Sequence, residues 1–286
     1  MIPQGFIDYH TMRNTRIRSF IQRLRRFCTV DDLHELRVEI KRLRAFYYLI
    51  DWIDRGFCAR KHLVSVERLF KATGPLRDLH VQMAASRKWA VESNGNLSEY
   101  YNSLAIREKR RRPFCATALR KFDQRSLSKG LLSVRKALGK YVEFEVVYRA
   151  EQRLSVMLRD LLISAKNSVY SEKALHDIRI ETKESRYVLE VLTQCRFSSA
   201  QDTELNKGLL ECHRALGRWH DCIVQSDNVR KYMADKPDDF YFDRPSYARF
   251  MEHLSEQRDL HLDHFRQNWG SYQEQFLSVS KKVDAL

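Results

Sequence analysis

The sequence has few of the residues that tight turns require, and it has no long apolar run. Only 9 of its 286 residues are glycine and 5 are proline, too few for the many short turns of a β-sandwich or β-barrel. No stretch approaches the roughly 20 apolar residues of a membrane span, and the N-terminal segment lacks the apolar core of a signal peptide. We therefore expect no membrane-spanning helix and a cytoplasmic protein.

Cysteine, metal and nucleotide motifs are also missing. The six cysteines form no C-x-x-C pair, which indicates apolar fillers in a reducing compartment. No segment has the form G-x-x-x-x-G-K-S/T of a phosphate-binding loop. The pairs His213/His220 and His261/His264 could each share a helix face, but carboxylates and thiolates do not complete a ligand set at a familiar spacing. We expect neither a metal nor a cofactor.

The residues that are abundant indicate helices. Apolar residues make up 43% of the chain, enough to form a core, and most of them recur every three or four positions. Charged residues reach 31% and fill the positions between. The predicted fold class is all-α.

The charge is strongly one-sided. Lys and Arg number 51 against 37 Asp and Glu, a formal net charge of +14. Such a surplus favours polyanionic partners, namely nucleic acid, an anionic membrane surface or polyphosphate. A charge that serves only solubility is the simpler alternative.

Apolar spacing and turn residues predict the helix boundaries. In the first half we expect helices over about 6–28, from Asp31 or Asp32 as N-cap to about 55, and over 59–91. Pro75 should bend or break the third of these, and further interruptions are expected near Pro113 and over 123–130. In the second half we expect helices over 144–166, from 171 or 172 onward, over 199–234, and from the end of a 235–245 loop to about 279.

The chain repeats once. Over residues 34–50 and 176–192, five of seventeen positions are identical. Over 74–82 and 217–225, four of nine are identical. The interval from His34 to Asp78 is 44 residues, and that from His176 to Asp221 is 45. An internal duplication accounts for two blocks at nearly equal spacing, so we predict one domain over 1–286 with repeats over 1–140 and 141–286.

The repeated block forms a cationic stripe. Residues three, four and seven apart share a helix face, so four residues of each half fall within an arc of about 80°. These are His34, Arg37, Lys41 and Arg44 in the first basic stripe, and His176, Arg179, Lys183 and Arg186 in the second. A separate arc, about 120° away, carries the predicted core residues Leu36, Ile40, Leu43, Tyr47 and Ile50.

Like charges at these spacings repel by a few tenths of a kcal/mol per pair. A multivalent anion would relieve that repulsion, because Arg forks suit phosphate oxygens and Lys supplies a mobile charge. One such helix could equally be a solvated basic face. Its recurrence in both halves favours a binding site.

The pattern H-x-x-R-x-x-x-K/R-x-x-R, followed some forty residues later by G-x-L-R-D, resembles the CHAD family, the conserved-histidine α-helical domains. The resemblance covers nearly the whole chain. It implies two similar four-helix bundles, related by a pseudo-twofold around a basic central groove or pore that binds inorganic polyphosphate. It also implies a binding module, often attached to polyphosphate granules or fused to triphosphate-processing domains.

Carried over by position, the family's basic residues fall on the two basic stripes and on Arg42. The chain departs from the family pattern at Glu184 and Ser185, where K-R-L-R-Y would be usual, so we expect the second repeat to bind less tightly. Asp78 and Asp221 are too acidic to contact phosphate and are read as orienting the Arg or His groups, with a helix-cap role as the alternative.

Further charge is expected along the groove. The basic run 107–112 contributes Arg107 and Arg111 as candidate ligands, and Arg258 and His261 occupy a similar place in the second half.

Three other functions remain open at this point. Nucleic acid would attract the same cations, although no helix-turn-helix or RNA-binding signature is present. An enzyme of triphosphate or polyphosphate metabolism would normally need carboxylate-held Mg²⁺, whereas the repeated site offers mainly cations. A membrane-surface role would need a free apolar helix face. Non-catalytic polyphosphate binding is the preferred hypothesis, with phosphate or sulfate ions as smaller ligands.

Overall fold

The computed structural model describes residues 3–166, 171–195, 199–236 and 243–280. These residues form helices joined by short connections, and no strand occurs among them, as the sequence predicted. In chain order the helices are α1 (Gln4–Arg26), α2 (Val30–Ile53), α3 (Ala59–Ser93), α4 (Ser98–Lys121), α5 (Arg125–Leu138), α6 (Glu143–Lys166), α7 (Glu172–Cys195), α8 (Ala200–Ala234) and α9 (Arg244–Ser280).

Helix α2 begins two or three residues earlier than predicted. Thr29, rather than Asp31 or Asp32, is its N-cap, and the Thr29 side chain accepts a hydrogen bond from the backbone N–H of Asp32. The two aspartates instead lie in the first turn, where their negative charge is favourable beside the free N–H groups. The predicted cap was therefore wrong.

Neither interior proline breaks its helix. Helix α3 continues through Pro75 and α4 through Pro113, so the interruption predicted near Pro113 was wrong. The turn before Pro75 is held by Thr73 Oγ1 and Arg37 Nη1, which both donate hydrogen bonds to the carbonyl oxygen of Phe70. The break after α4 spans only residues 122–124, and α5 already contains Gly130.

One large core joins both halves of the chain. The predicted apolar arc of α2 is confirmed: four of its residues are fully buried and Tyr47 is nearly so, the four being Leu36, Ile40, Leu43 and Ile50. The core extends through α1, α6, α7 and the middle of α8. A second, smaller cluster of buried residues packs the far ends of α3, α4, α8 and α9 against one another, around Tyr100, Tyr247 and Phe250.

The packing brings α2 and α7 into contact near the centre of the molecule. Helix α2 packs on α1, α3, α6 and α7, and α7 packs on α1, α2, α6 and α8. The two helices that carry the basic stripes are therefore neighbours, although they are distant in sequence. The long helices α3 and α8 flank them on either side.

Candidate functional site

The first basic stripe is only partly accessible to solvent. Arg37, Lys41 and Arg44 are half-buried on α2, whereas His34 is exposed near its N-terminal end. Burial and the nearby charge of Arg77 lower the pKa of His34 below its ordinary value. A protein interior disfavours the charged form of a base, so the partial burial of the imidazole favours its neutral form.

Arg37 is anchored to α3. Its Nη1 atom donates to the carbonyl oxygen of Phe70 at 2.5 Å and to Thr73 Oγ1 at 3.2 Å. Its guanidinium also lies 3.9 Å from the centre of the Phe70 ring, a cation–π contact. These contacts hold the guanidinium group of Arg37 in one orientation before a ligand binds.

The two basic stripes face each other. Burial lowers the pKa of Lys41 to about 8, and the charges of Lys183, Arg37 and Arg179 contribute to the shift. Burial also lowers the pKa of Lys183, Glu184 partly opposes this shift, and Arg179 and Arg44 add to it. Lys41, Arg44 and Lys183 line a cavity of about 460 Å³ between α2, α6 and α7, the α2–α6–α7 cavity.

Several buried donors in the stripes have no acceptor. The Nε atoms of Arg44, Arg179 and Arg186 are buried and make no hydrogen bond to any residue that the structure describes. A buried donor without an acceptor costs roughly 1–3 kcal/mol. An anionic ligand would supply acceptors for these three donors. Arg13 and Arg18, outside the stripes, have buried Nε atoms of the same kind, and Arg44 Nε lies 3.8 Å from Glu67 Oε1.

Two basic residues of the site were missed in the sequence. Arg77 on α3 lies close enough to His34, Arg37 and Lys41 to lower the pKa of each. His213 on α8 lies on the other side of the stripes. Burial lowers its pKa to about 4, and the shift is increased by the charges of four residues, Arg186, Arg179, Lys183 and Lys41. We call the two stripes together with Arg77 and His213 the basic cluster.

The missed residues had signals in the sequence. Arg77 belongs to the repeated G-P-L-R-D block, directly before Asp78. His213 lies seven residues before His220 on the same face of α8, a spacing that the metal hypothesis had already isolated. Only the packing of α8 beside α7 shows that His213 lies next to the cations of the stripes.

The structure does not bring Arg42 to the basic cluster. Its guanidinium donates to Glu39 Oε1 at 2.9 Å and to Glu190 Oε2 at 3.0 Å. Glu39 is fully buried and also bonds Arg13 Nη1 at 3.0 Å. Arg42 points away from the stripe because it lies about 100° or more from most stripe positions on the helix. It is part of an ion-pair network between α1, α2 and α7.

The second stripe has its own histidine contact. The ring of His176 lies 5.3 Å from the ring of His220, which stands in the second repeat where Arg77 stands in the first. Glu184 is exposed and lines the α2–α6–α7 cavity with Lys183 and Arg153. Asp51 on α2 lines the same cavity, so each half of the chain contributes one carboxylate to it.

Asp78 and Asp221 both lie in the interior of long helices, so the helix-cap alternative was wrong. Asp78 makes no direct ion pair with a described residue, but its carboxylate opposes the lowering of the pKa of Arg37 and Arg77. Asp221 opposes it at Arg77 as well. Both aspartates therefore influence the cations electrostatically from α3 and α8.

The predicted ligands Arg107 and Arg111 lie apart from the stripes. With Arg110 and Asp78 they line a cavity of about 660 Å³ between α3, α4 and α8, the α3–α4–α8 cavity. His261 lines a cavity of about 400 Å³ between α3, α8 and α9 that also contains Asp221. Arg258 is paired with Asp259 at 2.8 Å.

Two further observations concern metal binding and membrane spanning. Within the described residues, no three His, Cys, Asp or Glu side chains are grouped so that they could hold a metal ion. Among the same residues, no helix is long and apolar enough to cross a membrane.

Comparisons with known proteins agree with the sequence motifs. Residues 15–230 match the family model of the CHAD domain. The fold is similar to the crystal structure of the CHAD domain from the plant Ricinus communis, with a TM-score of 0.75 and 19% sequence identity over 93% of this chain and 91% of that one. No curated protein matches the sequence. The matched segment covers well over half of the chain, and the chain belongs to the CHAD domain family.

Proposed function

We propose that this protein binds inorganic polyphosphate through the two basic stripes and catalyses no reaction on it. The observation that carries the proposal is the position of Lys41, a half-buried ammonium group that is surrounded by cations and has no direct ion pair with a described residue. Isolated charges of one sign are costly to bury, so a polyanion that supplies the missing negative charge would bind favourably.

The extent of the stripes favours a polymer over a single phosphate. The first stripe runs from His34 to Arg44, about 15 Å along the helix at roughly 1.5 Å per residue. The Nε donors of Arg44, Arg179 and Arg186 are distributed over both helices. An extended chain of phosphates could contact donors on both helices at once, whereas one phosphate or sulfate ion would satisfy only a few of them.

A pseudo-twofold between the halves is part of the proposal. Helices α1, α2 and α3 have 23, 24 and 35 residues, and α6, α7 and α8 have 24, 24 and 35. Helix α1 packs on α7 while α6 packs on α2, and α2 packs on α7. This pattern is expected when a twofold axis passes between α2 and α7, with a basic groove along it.

The chemistry of the cluster supports binding rather than catalysis. Phosphoryl transfer generally relies on carboxylates that hold Mg²⁺ beside the reacting phosphate. In the basic cluster the groups that face one another are ammonium, guanidinium and imidazole side chains. An accessory role beside triphosphate or polyphosphate metabolism, a cytoplasmic location and association with polyphosphate granules belong to the same proposal.

Nucleic acid is the second candidate. Tyr48 is 42% exposed and lines the α2–α6–α7 cavity beside Lys41 and Arg44, so a base could stack there. Labelled polyphosphate bound to the protein should be challenged with single- and double-stranded DNA and RNA at fixed salt, because both associations weaken steeply with salt. The proposal is refuted if nucleic acid displaces the labelled polyphosphate at a lower concentration of phosphate groups than unlabelled polyphosphate does.

A paired substitution tests the site itself. Lys41→Gln with Lys183→Gln removes two facing charges and should weaken polyphosphate binding at least tenfold, measured by calorimetry. The matched control is Lys129→Gln with Lys136→Gln, which removes the same charge from exposed positions of α5. If both pairs reduce the affinity equally, binding depends on net charge and not on the facing stripes.

A further inference from the structure

The α3–α4–α8 cavity differs in chemistry from the basic cluster. Four of its lining residues are apolar, namely Pro75, Leu79, Phe114 and Val224. Its cations, Arg107, Arg110 and Arg111, all come from one face of α4. An apolar wall beside three guanidinium groups suits a ligand that has an apolar part as well as negative charge.

Phe114 is the feature that points to an aromatic ligand. Its ring is 66% exposed at the edge of this cavity, on a helix whose neighbouring residues are mainly basic. The guanidinium of Arg111 lies 5.8 Å from the ring centre. An exposed phenyl ring beside an arginine offers a stacking surface for a planar base.

The three arginines are available to phosphates. Arg107, Arg110 and Arg111 are exposed and make no ion pair with a residue that the structure describes. Arg112, by contrast, is paired with Glu108 at 2.6 Å and does not line the cavity. The side of α4 that faces the cavity therefore retains its guanidinium groups for a ligand.

Polar groups at the cavity wall can contact the edge of a base. The carboxylate of Asp78 has no direct ion pair with a described residue and can accept hydrogen bonds from an amino group. Asn228 donates through Nδ2 to the carbonyl oxygen of Val224 at 2.8 Å, a bond that leaves its Oδ1 as an acceptor. Asp78 also adjoins Arg37, Arg77 and Lys41, which connects this cavity to the basic cluster.

The other half of the chain offers a comparison. The cavity between α3, α8 and α9 is lined by Arg218, Asp221 and Gln225, at the repeat positions of Pro75, Asp78 and Gln82. From α9 this cavity receives Gln257 and His261 but no arginine, whereas α4 contributes Arg107, Arg110 and Arg111 to the α3–α4–α8 cavity. The two cavities therefore differ in charge.

We propose that the α3–α4–α8 cavity binds a nucleoside polyphosphate. The base stacks on Phe114 with its edge toward Asp78 and Asn228, and the phosphates contact Arg107, Arg110 and Arg111. The inference does not depend on the proposed function, because these arginines lie apart from the basic cluster.

The test compares ATP and GTP with inorganic triphosphate, in the full-length protein, by calorimetry. We expect ATP or GTP to lose affinity on the order of tenfold in Phe114→Ala, the loss of one stacking surface, while inorganic triphosphate binds unchanged. Phe144→Ala is the control, because Phe144 is 78% exposed on α6 and does not line the cavity. Circular dichroism of each variant verifies the fold.

The outcomes separate the two proposals. If wild-type protein binds neither triphosphate nor polyphosphate, the proposed function fails. If triphosphate binds but Phe114→Ala leaves ATP and GTP unaffected, the cavity does not hold the base and the inference fails alone. A single-stranded oligonucleotide that depends on Phe114 more strongly than ATP does would assign the cavity to nucleic acid and overturn it as well.

Discussion

Replacing Lys41 by methionine should stabilise the protein in the absence of ligand. Methionine retains the apolar stem of the lysine, which is half-buried, and removes the ammonium group that faces Lys183, Arg37 and Arg179. Replacing a strained buried charge by an apolar group of similar volume is often neutral or stabilising. The substitution should therefore raise the free energy of unfolding and weaken ligand binding at the same time.

The magnitude follows from the pKa of Lys41. Its fall from 10.5 to about 8 corresponds to about 3 kcal/mol, since one pKa unit is roughly 1.4 kcal/mol. Because the folded-state pKa is below the unfolded one, the full penalty applies below pH 8 and disappears as the pH rises through 8 to 10.5. Allowing for partial solvent screening, we expect the free energy of unfolding at pH 7 to rise by about 1–3 kcal/mol.

Urea denaturation in phosphate-free buffer at pH 7 measures the change. Lys129→Met is the control, because Lys129 is exposed on α5 and its substitution should alter stability by less than about 0.5 kcal/mol. Added polyphosphate should narrow the gap between Lys41→Met and wild type, since a ligand stabilises the form that binds it more tightly. A Lys41→Met protein less stable than wild type without ligand would refute the electrostatic reasoning.

Three further predictions concern pH and the ion-pair network. Polyphosphate affinity should fall above pH 8 because Lys41 loses its proton, whereas the Lys41→Arg variant should retain its affinity to higher pH. Calorimetry between pH 7 and 9.5 measures both affinities. The pKa of His213 is lowered to about 4, so below pH 6.5 the unfolded state binds a proton that the folded state does not. Between pH 7 and pH 5 the free energy of unfolding of the wild type should therefore fall by up to about 2 kcal/mol more than that of His213→Gln, measured by urea denaturation. Glu39→Ala should cost about 3–5 kcal/mol, because Arg13 and Arg42 lose their buried carboxylate, and an unchanged urea midpoint would contradict this.

The helical periodicity was sufficient to predict what each face of α2 does. A core residue such as Leu36 and a site residue such as Lys41 were separated by the angle around the helix alone, a property of local sequence. The all-α class, which was predicted from the same periodicity, was confirmed as well. Pro113 was misread because a proline signal is local, whereas the surrounding packing keeps α4 continuous through it.

Contacts between distant segments were beyond the sequence. Arg42 pairs with Glu190, 148 residues away. Its angle on α2 separates it from Lys41, but the local pattern does not identify its partner. His213 joins the basic cluster only because α8 packs beside α7. The repeat predicted that two stripes exist, while their facing arrangement depends on how α2 and α7 meet.

The ion-pair network of Arg13, Glu39, Arg42 and Glu190 has a consequence for affinity. It joins helices α1 and α2 of the first half to α7 of the second, with Glu39 fully buried. The helices that carry the two stripes are therefore locked at a fixed separation before any anion arrives. A phosphate chain would lose its own freedom on binding but would not have to order the protein, so most of its contact energy would appear as affinity.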